Sequence, residues 1–251
     1  MGLFISFEGG DGSGKSTQVR VLAAWLEETG RDVVVTREPG GTKMGNAIRE
    51  LLLHGEDMGP RAEALLYAAD RSHHVQSKVR PALERGAVVV TDRYLDSSVA
   101  YQGAARELGT EEVRELSLWA VGGLLPDVTF LLDLPAEDAA RRAAARAGGT
   151  AGEGSGAGES PGLDRLERAG QEFHDAVRAQ YRLLAAREPH RFYTLDARRP
   201  VEDLAEEIRE VVVGMFEERR QRPGATADGA GGMRGDEGAD GVVGGPGGER
   251  A

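Results

Sequence analysis

Apolar positions along the chain follow two alternating rhythms. Five short runs rich in β-branched residues, Leu3–Phe7, Asp32–Thr36, Ala87–Thr91, Val128–Leu134 and Arg191–Leu195, read as buried strands. Between them the spacing changes to that of one helical face, as in Val19, Leu22, Ala23 and Leu26 after the first run and Leu204, Ile208, Val211, Val212 and Met215 after the last. Pro200 stands where a first helical turn needs no N–H. Strand–helix alternation of this kind predicts an α/β fold, a five-stranded parallel sheet covered by helices on both faces, with ligands at the carboxyl ends of the strands.

The rhythm breaks twice. Residues 147–162 and the chain from 222 onward are dominated by Gly, Ala, Ser and acids, with too few large apolar side chains to offset the entropy of ordering them. The expected organisation is therefore one domain over residues 1–221 and a disordered, Gly-rich acidic tail over 222–251. The first break lies inside the domain, and a structureless connection of that length is functional or disordered.

Charge and composition narrow the partners. Lys and Arg number 31 against 42 Asp and Glu, a formal charge of -11, which argues against a nucleic-acid backbone or an anionic membrane as partner. No apolar run is long enough to span a bilayer, and Met1 to Phe7 lacks the basic flank and cleavage site of a leader. With no cysteine there is no thiolate ligand, disulfide or cysteine nucleophile, and the cytoplasm is the expected compartment.

The chemistry begins directly after the first strand. Gly9, Gly10, Asp11, Gly12, Ser13, Gly14, Lys15, Ser16 and Thr17 satisfy G-x-x-x-x-G-K-[ST] and open a helix, the context a phosphate-binding loop requires. Glycines let successive N–H groups turn toward phosphate oxygens, the helix terminus adds positive potential, Lys15 reaches the β/γ-phosphates, and Ser16 offers a hydroxyl to Mg²⁺. The fold is thereby narrowed to a three-layer, P-loop NTPase-like one. Because the loop is shared by many reactions, the rest of the chain must decide between them. A guanine-reading N-K-x-D is absent, and net acidity counts against a nucleic-acid motor.

Three further segments lie where a phosphoryl acceptor would bind. Arg37 and Glu38 precede a Pro-Gly-Gly turn after the second strand; Asp92 and Arg93 end the third, with Asp92 in the place of a Walker-B acid. Tyr67 and Arg71 are four residues apart on one helix face, an aromatic for stacking beside a guanidinium for a carbonyl. Each also fits a structural role: Arg37–Glu38 as a surface pair, Tyr67 as a core aromatic, Asp70–Arg71 as a salt bridge.

Taken together, Phe7 to Gln18, Arg37-Glu38-Pro39-Gly40-Gly41-Thr42 and Asp92-Arg93-Tyr94 through Ser97, Ser98, Tyr101, Gln102 and Gly103 resemble the thymidylate kinases, in their bacterial form, over the chain from the first strand to about Glu218. The resemblance implies transfer of the γ-phosphoryl group of ATP to dTMP, giving dTDP and ADP with Mg²⁺ required, by a homodimer. It implies Arg93 as the clamp on the acceptor phosphate, Asp11 near the acceptor's sugar and phosphate, and Glu38 lining the acceptor and metal region, with Asp92 and Ser16 toward the metal. Tyr67 stands where the family places Phe to stack on thymine, and Arg71 resembles the residue bonded to thymine O4. Ser98 and Gln102 match positions facing the N3 edge, Tyr101 the aromatic under the deoxyribose, and Arg49 another acceptor-side arginine.

A predicted helix near Glu137 carries Arg142 and Arg146 four residues apart and leads through the Gly-rich stretch to Leu163-Asp164-Arg165-Leu166-Glu167. In the family this is a lid, here spanning about 137–168, whose arginines reach the transferring group. Two departures stand out: the insertion over 147–162, and Ala144 where some members carry another basic residue. A different nucleoside-monophosphate kinase, or a non-catalytic nucleotide-binding module, are the rival readings.

Overall fold

A computed structural model describes residues 2–139, 141–142 and 170–221. They form five strands, β1 (Leu3–Glu8), β2 (Val33–Arg37), β3 (Val88–Asp92), β4 (Val128–Asp133) and β5 (Phe192–Asp196), all parallel, in the order β2-β3-β1-β4-β5. The helices are α1 (Lys15–Glu28), α2 (Lys43–His54), α3 (Pro60–His74), α4 (Arg80–Glu84), α5 (Leu95–Ser98), α6 (Thr110–Ala120), α7 (Gln171–Arg187) and α8 (Val201–Gln221). Residues Val75–Val79 and Val99–Ala105 are π-helical, the first between α3 and α4 and the second continuing α5. None of these helices is long and apolar enough to cross a membrane. Met1–Val212 is one compact unit and Val213–Ala251 a second, described only to 221 as the last turns of α8.

Each predicted strand is present, but its end lies on a polar residue that the apolar pattern underweights. Glu8, Arg37, Asp92 and Asp196 each extend a run past its last apolar residue, whereas β4 stops at Asp133, one short of Leu134. The expectation of five buried strands holds for the centre of the sheet only. β1, β3 and β4 are buried along their apolar lengths, whereas β2 and β5 are edge strands with exposed positions such as Val35 and Tyr193. An edge strand packs one face and one flank, so β-branched runs identify a strand without identifying its place in the sheet.

Register aligns the polar ends. Phe7 lies beside Asp92, and Arg37 lies beside Asp92 on the other flank. The chain leaves β1 toward β2 and leaves β4 toward β5, so the connections diverge between these neighbours, which opens a crevice at their carboxyl ends. Beneath it the core is tight: Phe4 meets Tyr94 edge-on with centroids 5.0 Å apart, and Phe7 lies 5.3 Å from Phe130. Burying each such ring stabilises the fold by about 1.5–3 kcal/mol and holds the crevice floor still.

Candidate active site

The crevice is entered first by the loop after β1. Gly9 has φ of 139°, and a Cβ there would lie 2.5 Å from the Leu132 carbonyl oxygen, so the loop passes against β4 only as glycine. Gly14, at φ of 100°, turns the chain into α1. Lys15 donates Nζ to the Gly9 and Gly10 carbonyl oxygens at 3.1 and 2.9 Å, curling over its own loop. Burial and the neighbouring Arg93 lower its pKa to about 8. One residue on, the Ser16 hydroxyl donates to Asp92 Oδ2 at 2.5 Å, joining the P-loop to the end of β3.

Arg93 follows Asp92 with φ of 68°, the left-handed region that costs a side chain about 1–2 kcal/mol. Its surroundings hold it there. The backbone N–H donates to Phe7 O at 2.9 Å, and the guanidinium donates to Gly9 O (3.1 Å), Ser97 Oγ (3.1 Å), Tyr181 Oη (3.2 Å), Tyr101 Oη (3.0 Å) and Asp11 Oδ1 (2.5 Å). Such strain persists only where the surrounding structure over-determines it. Asp11 also accepts from Tyr101 Oη at 2.9 Å. Desolvation works against its charge, yet Arg93, Lys15 and the Tyr101 hydroxyl bring its pKa down to about 2, so it is a carboxylate at neutral pH.

A second layer lies behind Arg93. Glu8, fully buried at the end of β1, accepts from the Tyr94 N–H (2.8 Å), Ser97 Oγ (2.6 Å) and Tyr181 Oη (2.9 Å). Burial and the charge of Asp96 raise its pKa to about 7, against the pull of the Ser97 bond and Arg93. Asp96 is taken up by Arg191, which grips both its oxygens at 2.7 and 2.8 Å.

From Arg93 a cavity of roughly 570 Å³, open to solvent, runs between α2, α3 and the segment over 95–105. Glu38, Arg49, Tyr67, Arg71, Ser98, Tyr101 and Gln102 line it, together with Asp11 and Arg93. Every residue expected on the acceptor side is thus gathered in one cavity. Tyr67 is both part of the core and a wall of the cavity.

Arg71 is also a buried salt bridge, though not with Asp70. It donates Nε to Glu38 Oε2 at 2.7 Å, with further N–H groups to Ser98 Oγ (3.0 Å), Ser117 Oγ (3.3 Å) and Tyr94 O (3.4 Å). Glu38 therefore turns inward, away from the surface pair with Arg37 that adjacency suggested. Its other oxygen meets His74 Nδ1 at 2.8 Å, while His74 Nε2 lies 2.7 Å from Thr36 Oγ1. A Cβ on Gly41 would come within 2.6 Å of the His74 ring, so the second glycine of the Pro-Gly-Gly turn makes room for this chain of contacts. Arg49 donates to Pro39 O at 3.2 Å.

A family model for thymidylate kinase matches residues 7–208. The chain belongs to the thymidylate kinase family. Among curated relatives, thymidylate kinases of Leifsonia xyli subsp. xyli and Clavibacter michiganensis subsp. michiganensis are 60% and 56% identical over 209 residues, in each case 83% of this chain and 93% of the relative. The crystal structure of thymidylate kinase from Ehrlichia chaffeensis superposes with a TM-score of 0.66 at 28% identity, covering 84% of this chain and 98% of that one.

Within this thymidylate kinase fold, sequence reading gives no role to Glu8, His74, Ser97 or Tyr181. Glu8 and Ser97 stand inside the motif blocks and His74 three residues after Arg71, whereas Tyr181 is in no motif. The expected lid helix begins at residue 136, and Arg142 donates to Ala197 O at 2.7 Å. Arg146, Arg165, the insertion over 147–162 and the tail from 222 lie outside the described residues.

Proposed function

We propose that this chain is a phosphotransferase that moves the γ-phosphoryl group of ATP to the 5′-phosphate of dTMP, releasing ADP and dTDP. The observation that carries the reading is the single cavity that gathers Asp11 of the P-loop and Arg93 together with Tyr67, Arg71, Ser98 and Gln102.

Arg93 and Asp11 hold the acceptor end. An oxygen of the dTMP phosphate forms the new bond to the γ-phosphorus as the bond to the bridging oxygen of ADP breaks, in line. The acceptor is already an oxyanion, so no strong base is required, and the barrier falls through positioning and positive charge. Lys15 supplies charge on the β- and γ-oxygens, and Arg93 holds the acceptor against its own negative neighbour. Ser16 and Asp92 fit Mg²⁺: their oxygens are hard ligands that already meet, and no group of three or more His, Cys, Asp or Glu among the described residues competes, as suits an ion held largely by phosphate and water. Once bound, Mg²⁺ neutralises charge on the donor phosphates. Arg142 and Arg146 are assigned to the transferring group.

At the base end Tyr67 stacks on thymine, Arg71 donates to O4, Ser98 and Gln102 face the N3 edge, and Arg49 and Glu38 complete the wall. Tyr101, held by Asp11 and Arg93, occupies the space a 2′-hydroxyl would need. The domain spans 1–221, with 222–251 a dispensable tail. We assign a homodimer, supported by the exposed apolar side chains Leu51, Leu65 and Trp119 on three neighbouring helices, and the cytoplasm as its compartment, in keeping with a chain free of cysteine.

A coupled ADP-release assay with dTMP, UMP, CMP and AMP tests the reading. Turnover with dTMP well above the others is expected; preference for another monophosphate replaces it with the rival kinase, and ATP binding without turnover replaces it with a nucleotide-binding module.

A further inference from the structure

The residue behind the base site is as telling as those lining it. Gln102 belongs to the π-helical segment over 99–105, a form that recurs at functional sites because its extra residue re-aims side chains. Its amide Nε2 donates to Glu63 Oε1 at 2.8 Å. Glu63 lies in the first turn of α3, is fully buried, and faces Arg106, whose Nε and terminal nitrogen stand 3.4 and 3.5 Å from its two oxygens. Arg106 lies over the Phe173 ring at 5.0 Å. The first turn of α3 and the guanidinium thus both lie against the Glu63 side chain.

A glutamine amide is symmetrical in shape and opposite in chemistry at its two ends, so a pocket lined by glutamine reads nothing until one end is fixed. A carboxylate only accepts hydrogen bonds, and it can hold Gln102 only by the NH₂ group. The carbonyl Oε1 is then the end left for the cavity. We propose that Glu63 is a specificity-determining positioning residue, which locks the Gln102 amide with its acceptor toward the base and so selects a pyrimidine that carries a hydrogen on N3. This rests on the reading of the cavity as the thymine site. Thymine N3 is a donor and satisfies Oε1; cytosine N3 is an acceptor and would leave two buried acceptors face to face, the kind of mismatch that a polar site rejects strongly. Tyr67 cannot make this distinction, since stacking tolerates either ring.

The test is kcat/KM for dTMP and dCMP in wild type, Glu63→Gln, Gln102→Leu and the double variant. Glu63→Gln keeps volume and hydrogen-bonding capacity but can hold either end of the amide. It should lower the dTMP:dCMP preference by about tenfold or more, the size of one misoriented polar contact, with KM for ATP unchanged. In the Gln102→Leu background the same change should move the preference less than about twofold, since coupled residues are non-additive. A preference unchanged by Glu63→Gln in an enzyme active on dTMP overturns the assignment, as does an equal loss for both nucleotides, the mark of a merely structural role. A wild type that phosphorylates no dTMP overturns the underlying reading of the site, and the assignment with it. If melting curves show Glu63→Gln unfolded, Glu63→Asp, which draws the acceptor back by one methylene, is read by the same ratio and the same outcomes.

Discussion

The donor loop and the acceptor cavity are built on opposite principles. The loop from Gly9 to Thr17 is contiguous chain, its geometry supplied by glycine conformations and its lysine bonded to its own carbonyls. The cavity draws side chains from the loop after β1, the turn after β2, α2, α3 and the segment over 93–102, and its acids are already paired, Asp11 with Arg93 and Glu38 with Arg71, while Glu63 faces Arg106 behind it. A polyphosphate presents the same charge whatever base it carries, and a backbone cradle suffices to hold it. A base is distinguished by the direction of a few hydrogen bonds, which requires side chains fixed before the ligand arrives.

Removing the one cation of the loop should have the largest effect. Lys15→Ala leaves the backbone cradle intact but takes away the positive charge assigned to the donor phosphates, and turnover should fall by roughly three orders of magnitude or more under saturating dTMP. The coupled assay checks this, and near-normal activity would remove the loop from the chemistry.

A change at the cavity should instead divide between binding and folding. Arg71→Ala takes away the donor proposed to read the base and leaves Glu38 buried with His74 alone. Because stranding one half of a buried pair costs about 3–5 kcal/mol, the melting temperature should drop, and KM for dTMP should rise well beyond KM for ATP. Equal shifts in the two constants would erase the contrast between donor and acceptor ends. Arg71→Lys, which restores charge but not the fork of donors, should recover stability only in part.

The contrast also governs what could be read from sequence. The phosphate loop was legible because its parts are neighbours in the chain and their spacing is the motif. The residues expected on the acceptor side were legible only in part: strand ends and the spacing of Tyr67 and Arg71 pointed to a region, but nothing local in Glu38 shows that it turns inward to Arg71 and His74, which lie on a helix more than thirty positions away. Strand ends were misjudged for a related reason. Asp92 and Glu8 continue β3 and β1 because ladder hydrogen bonds are indifferent to side-chain polarity, while an apolar pattern stops at the last hydrophobic residue. The π-helical turns that aim Tyr101 and Gln102 add one residue to a turn, too small a change of phase for periodicity to register.

Glu8 sharpens the comparison in a measurable way, because its pKa is displaced upward whereas those of Lys15 and Asp11 in the loop are displaced downward. Its pKa is about 7 in the fold against 4.5 for the ordinary side chain, so the folded chain holds this proton more tightly than the unfolded one. The stability it contributes is complete below about pH 4.5 and is lost as pH rises through about 7, a loss on the order of 3 kcal/mol. Denaturant midpoints at pH 5 and pH 8 should therefore converge in Glu8→Gln, which keeps the neutral shape at both. A variant as pH-sensitive as wild type would place the titration elsewhere.

The smallest effect is expected from removing residues 223–251. Both ends of the site lie within the family match over residues 7–208, and the tail contains few side chains large enough to bury apolar surface. Its acidic excess contributes at most a diffuse potential, which salt screens within about 8 Å at physiological ionic strength. Deletion should leave kcat and both Michaelis constants within about twofold and the melting temperature nearly unchanged, because a terminus of this composition rarely supports a fold. A larger change confined to KM for ATP would tie the tail to the donor loop, whereas one confined to KM for dTMP would tie it to the cavity, so even this mild truncation reports on which end of the site stands alone.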